Sequence, residues 1–171
     1  YSLRYWTESK NNDGPQSVWN PKPCVFAPEV NVDATVEPLG TGSFRTSQTG
    51  NARGANAVDL QMVRSDPSQV ASGDLSVITG GEDNTVTGDH SVISGGKLNI
   101  VAGQYSGIFS GQDNSISNNS ISSVIDGGNN NTIDASLAVI DGGSNNVNRS
   151  EGSTIGGGTS NTISDAVYSD S

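Results

Sequence analysis

The 171 residues include one cysteine, one histidine and one methionine, and aromatic side chains make up only 5%. The single thiol, Cys24, cannot close an internal disulfide and reads as a buried or unreactive group. Any Ser-His-Asp triad would have to use His90, which stands between Asp89 and Ser91 and reads better as a corner residue of a repeat. Without a His/Cys cluster there is no basis for a zinc site, and no phosphate-binding loop with its lysine is present. No apolar stretch approaches the ~20 residues of a membrane span, so no membrane insertion is expected. No signal-peptide pattern opens the chain; it begins at Tyr1, as a processed chain or a fragment of a longer one would.

Basic residues are scarce too. Eight Lys and Arg face 18 Asp and Glu, a formal net charge of −10. After residue 70 only Lys97 and Arg149 are basic, against eleven acidic side chains. Such a surface repels phosphate backbones and excludes a nucleic-acid partner. Hydrophobic residues amount to 32%, too few for a conventional two-layer core, while a charged fraction of 15% is unlike a charge-solvated disordered chain. Low complexity with a strict period is what remains.

That period is present. From Ser76 the chain reads SVITGGEDNTVTGDH, SVISGGKLNIVAGQY, SGIFSGQDNSISNNSIS, SVIDGGNNNTIDASL, AVIDGGSNNVNRSEG and STIGGGTSNTISDAV. The ninth place is always asparagine: Asn84, Asn99, Asn114, Asn131, Asn146 and Asn161. The third unit carries two extra residues, read as a bulge or longer corner around Asn118 to Ser122. The third place is always isoleucine: Ile78, Ile93, Ile108, Ile125, Ile140 and Ile155. The eleventh holds Val86, Val101, Ile116, Ile133 and Ile163, with Asn148 as the exception. Two short apolar stretches per unit, punctuated by turn residues, predict two strands per turn of an all-β, parallel β-solenoid (β-roll) with about 15 residues per turn. Because alternate strand residues face opposite ways, the first, third and fifth places and the ninth and eleventh should point inward. The glycine at the sixth place, and nearly always at the fifth, fits a tight corner with positive φ. Stacked at the strand spacing, six turns would form a rod of about 29 Å. The asparagines would then form an internal amide ladder, the alternative being that Asn only tolerates a left-handed turn.

The solenoid is expected over 69–171, preceded over 1–68 by a small irregular cap or junction with short strands. Strands are predicted at Val30 to Val36 and Ser43 to Ser47. Tyr5, Trp6 and Trp19 lie in a proline-rich front, and they are the residues nominated for glycan contact; capping the rod is the plainer role.

The second place is mostly valine: Val77, Val92, Val124 and Val139. It faces away from the isoleucines, so the first strand is apolar on both sides and calls for a partner outside the coil. Sister chains around a threefold axis would supply one, giving a homotrimer in preference to a dimer; the plainer alternative is that valine is only a good strand former on an exposed face.

The recurring S-V-I-x-G-G-x-x-N-x-V-x-G resembles the head repeats of trimeric autotransporter adhesins and related phage and viral fibre proteins, over about Gln69 to Val167. The stretch Asn31 to Met62, with NVDATVEPLGTGSFRT and GNARGANAVDLQM, resembles the segment preceding such repeats in tail-fibre-like proteins. The resemblance implies a trimeric parallel β-roll in a virion or phage-tail fibre, acting as spacer and host-attachment rod, with other fibre or virion proteins and a cell-surface glycan as partners. The N-S-V-A-I-G wording of the adhesin heads is absent, which leaves the handedness of the coil open.

Three other functions fit parts of the pattern. A bacterial cell-surface adhesin head, binding matrix or glycans, would carry the same repeats. Thr85, Ser115, Thr132 and Thr162 at the tenth place, with Thr87, Ser117 and Ser164 at the twelfth, form a partial hydroxyl array as in ice-binding solenoids, interrupted by Ile100, Asp134 and Arg149. Asp126 and Asp141, both at the fourth place, could hold a hard cation or act as the paired carboxylates of a tailspike polysaccharide hydrolase. Mutual repulsion in water is their plainer outcome, and neither a catalytic residue nor a cofactor is assigned.

Overall fold

The computed structural model describes residues 40–164, all within one compact unit. The nominated Tyr5, Trp6, Trp19 and Cys24, and the strand expected at 30–36, lie outside the described residues.

The described chain contains no helix and is a parallel β-solenoid of about eight turns. Fourteen very short strands, numbered in chain order, form two sheets. The first sheet stacks β1 (Phe44–Arg45), β2 (Val58–Asp59), β3 (Val77–Ile78), β5 (Val92–Ile93), β7 (Gly107–Ile108), β9 (Val124–Ile125), β11 (Val139–Ile140) and β13 (Thr154–Ile155) in that order. The second stacks β4 (Thr85–Val86), β6 (Ile100–Val101), β8 (Ser115–Ile116), β10 (Thr132–Ile133), β12 (Val147–Arg149) and β14 (Thr162–Ser164). Strands are short because each β-branched pair is followed at once by residues that must turn.

A third ladder was not foreseen. Single-residue parallel bridges run along the seventh place, from Val63 to Glu82, Lys97, Gln112, Asn129, Ser144 and Thr159. From the turn that begins at β2 onward, each turn is therefore pinned to the next on three sides.

The core is one file of β-branched side chains from two sheets. Ile78, Ile93, Ile108, Ile125 and Ile140 from the first, and Val86, Val101, Ile116 and Ile133 from the second, have no exposed surface. Ile155 is 5% exposed and Ile163 packs partly buried against the cluster. Burial of each such side chain contributes about 1.5–3 kcal/mol.

Of the glycine pair, the sixth place is as expected and the fifth is not. The sixth-place glycines have φ near +90°, for example Gly96 at 90° and Gly128 at 88°, and a Cβ there would run into the next turn's backbone. The fifth place, however, does not point into the core: a Cβ on Gly80 or Gly95 meets nothing within 4 Å. The left-handed corners also fall elsewhere than expected, at the eighth place (Asp83, Leu98, Asp113) and the fifteenth (Leu75, His90, Tyr105) as well as at the sixth-place glycines. Backbone bonds to the preceding turn hold these corners, as in His90 N–H to the Asp74 carbonyl at 2.9 Å and Leu98 N–H to Glu82 at 3.0 Å.

The coil also begins earlier than Gln69. Phe44 pairs with Val58 and Val58 with Val77, so the first sheet continues through two irregular turns. In the second of these the core place is taken by Asp59, in register with Ile78. Its carboxylate is fully buried between two guanidiniums, with Arg53 Nε at 2.8 Å and Arg64 Nη2 at 3.2 Å. Arg64 also donates to the carbonyls of Gln61 and Gln69, at 2.8 and 3.1 Å. A charge in the core position is tolerated because it is paired and its remaining lone pairs are used.

Candidate functional site

The interior carries polar ladders as regular as the apolar one. Asn99, Asn114, Asn131, Asn146 and Asn161 each donate a backbone N–H to the side-chain oxygen of the asparagine one turn earlier, at 3.0–3.1 Å. Their amide nitrogens donate to glycine or serine carbonyls of the corner, as Asn131 does to Gly127 at 3.0 Å and Gly143 at 3.1 Å. The amide ladder is thus internal, and the ninth place is not the left-handed one. Gln61 extends the ladder into the irregular upstream turn: its Oε1 accepts from Asn84 N–H at 2.9 Å and its amide donates to the Asn84 carbonyl at 2.8 Å.

A second ladder follows the first place. Ser91, Ser106 and Ser123 each donate a hydroxyl to a corner carbonyl at 2.8–2.9 Å and accept the N–H of the first-place residue one turn on. Asn148, which interrupts the eleventh-place apolar column, is fully buried. It bonds the Ser153 carbonyl at 3.0 Å and accepts the Ser153 hydroxyl at 2.6 Å. Among the described residues no buried side-chain nitrogen or oxygen lacks a partner. These polar residues belong to the framework and offer no reactive group.

The outer surface is where binding could occur. Val77, Val92, Val124 and Val139 stand half-buried on the outer side of the first sheet, with Val77 paired to Val92 and Val124 to Val139. Gly107 and Thr154 continue the column. At the neighbouring corner Leu75, Tyr105 and Leu137 are 49%, 58% and 56% exposed, and Phe109, just past β7, is 50% exposed. His90 stacks on Tyr105 with ring centroids 4.9 Å apart. An apolar column along the stacking direction is the feature sequence reasoning saw only in its valine part; other exposed apolar side chains, such as Met62, Ile100 and Ile121, lie outside it. The corner residues carry no shared residue type, so their column gave no signal.

The other nominated groups are dispersed. Asp126 and Asp141 are both exposed at the same place on consecutive turns. Among the described residues no three His, Cys, Asp or Glu side chains gather as a metal would require. His90 sits at a corner, as the repeat implied. On the second sheet, Ser117 donates its hydroxyl to Asp134 at 2.6 Å, and Ile100 stands 45% exposed, so the Thr and Ser columns do not make a continuous hydroxyl surface.

The two inserted residues, Asn118 and Asn119, form a turn closed by Ser120 N–H to the Ser117 carbonyl at 3.1 Å. Ser120 then returns to the thirteenth place, so neither sheet loses register.

Stacked parallel turns with an internal amide ladder define the class: a tandem-repeat parallel β-solenoid. No family model matches the chain, and no curated protein or solved structure matches it either.

Proposed function

We propose that the chain is the solenoid shaft of a homotrimeric fibre, a mechanical spacer and attachment rod carried on a virion or phage tail and not an enzyme. The observation that carries this is the valine column, Val77, Val92, Val124 and Val139, half-covered in the isolated chain and continued by exposed Leu75, Tyr105 and Leu137. An apolar stripe parallel to the stacking axis matches the same stripe on a sister chain along its whole length, and three copies around one axis cover it most completely. Three ladders per turn and a fully hydrogen-bonded interior make each coil stiff, which suits a spacer. The resemblance of the repeats to viral and adhesin fibres supports the virion setting, with neighbouring fibre or virion proteins and a host-surface glycan as partners; a bacterial surface adhesin is the nearest alternative. The ice-binding and hydrolase readings rest on the interrupted hydroxyl columns and on two exposed aspartates.

The test is the mass of the chain in solution by light scattering. Three times the 17.5 kDa chain mass is expected; a monomer at micromolar concentration overturns the trimer. Immunogold labelling of virions, against labelling of cell envelopes, then separates the fibre from the adhesin.

A further inference from the structure

The corner beside the inserted turn holds a cleft of about 350 Å³, built from three successive coils. We propose that this cleft binds a neutral sugar unit. Its floor includes Gly88, which has no side chain because a Cβ there would collide with the Gly103 carbonyl of the next turn. Its lining includes Asn118, supplied by the insertion that breaks the fifteen-residue period.

The lining fits a polyol better than other ligands. Asp89, Gln104, Asn118 and Thr87 offer polar groups, and Ala102 and Ile121 offer apolar ones. Asp89 Oδ1 accepts the Asp74 N–H at 2.9 Å, leaving Oδ2 for a ligand hydroxyl. The side chains of Gln104, Asn118 and Thr87 make no hydrogen bond among the described residues, so their donors and acceptors are open to vicinal hydroxyls. Ile121, 46% exposed, gives the C–H face of a sugar ring an apolar surface. A phosphate or carboxylate ligand is disfavoured because no lining residue is basic and Asp89 is acidic. A hard cation needs several oxygen ligands of which carboxylates are the strongest, and only one carboxylate lines the cleft. The volume lies near the lower end of the range for small-molecule clefts, roughly 300–1,000 Å³, which suits one or two sugar rings.

The site is built within one chain, so it stands or falls separately from the trimer. Saturation-transfer NMR on the full chain with glucose, galactose, mannose and N-acetylglucosamine at millimolar concentration tests it. Transfer to at least one sugar is expected, weakened about three- to tenfold in Gln104→Ala. Deleting Asn118 and Asn119 restores the fifteen-residue period and should abolish transfer while the far-UV circular dichroism stays the same. If the deletion variant does not fold, Gln104→Ala decides alone, since its side chain is exposed and holds nothing in the fold. Absence of transfer to all four sugars, or transfer unchanged in the variants that fold, overturns the proposal.

Discussion

The side-chain oxygen of Asn99 accepts two hydrogen bonds from Asn114, one from its backbone N–H and one from its amide, both at 3.1 Å. The same fork joins Asn114 to Asn131, Asn131 to Asn146 and Asn146 to Asn161. Each asparagine thereby places the next one, and the amide that receives the register also passes it on.

Removing a middle rung should therefore cost more than one hydrogen bond. In Asn131→Ala, the Asn146 N–H and amide lose their acceptor, and the carbonyls of Gly127 and Gly143 lose a donor. A buried group left unsatisfied costs on the order of 1–3 kcal/mol. A drop of at least that size in unfolding free energy, read from urea denaturation, is the expected result.

Adjacent glycines should respond in opposite directions to the same substitution. Gly96→Ala places a Cβ 2.6 Å from the Asn99 amide and closer still to the Gly111 carbonyl, at φ +90°. Gly95→Ala adds a methyl into open space at a φ outside the left-handed region, and should stabilise by about 0.4–1 kcal/mol through loss of unfolded-state freedom. Thermal melts of the two variants, one lowered and one raised relative to the parent, check this.

Asp59→Ala leaves Arg53 and Arg64 buried without their counter-charge. Breaking a buried pair costs roughly 3–5 kcal/mol, and the loss should stay local because a stacked coil contacts only its neighbours. Hydrogen exchange at Val58, Leu60 and Asn84 is expected to quicken while that at Ile125 and Ile140 holds.

If the valine stripe joins three chains, charge placed there should separate them without unfolding them. Val92→Glu combined with Val124→Glu is expected to reduce the light-scattering mass about threefold, with the circular dichroism spectrum unchanged because both side chains point away from the core. A mass unaffected by the double change would place the contact elsewhere.

The two sheets, the isoleucine file and the asparagine ladder were legible because each repeats one residue type at a fixed interval. The third ladder was not, since Glu82, Lys97, Gln112, Asn129, Ser144 and Thr159 share only their backbone bridges. The left-handed backbone at the eighth place went unread although Asp83, Asp113, Asn130 and Asn145 favour it, and at Leu98 and Tyr105, which do not, it is held by bonds to the preceding turn. The upstream turns escaped because their lengths leave the period and Asp59 stands where an apolar residue was sought. Of the outer surface only the valines were readable. The sugar-sized cleft depends on where a two-residue insertion protrudes, which spacing alone does not give.

The Asn118–Asn119 turn shows that the coil counts rungs and not residues. Strand pairing resumes in phase on either side of the added pair, as it does across the unequal upstream turns. Corners after the twelfth place are accordingly where a coil can be lengthened, decorated or given a foreign peptide while its strands stay in register, and new surface chemistry can be acquired there one loop at a time.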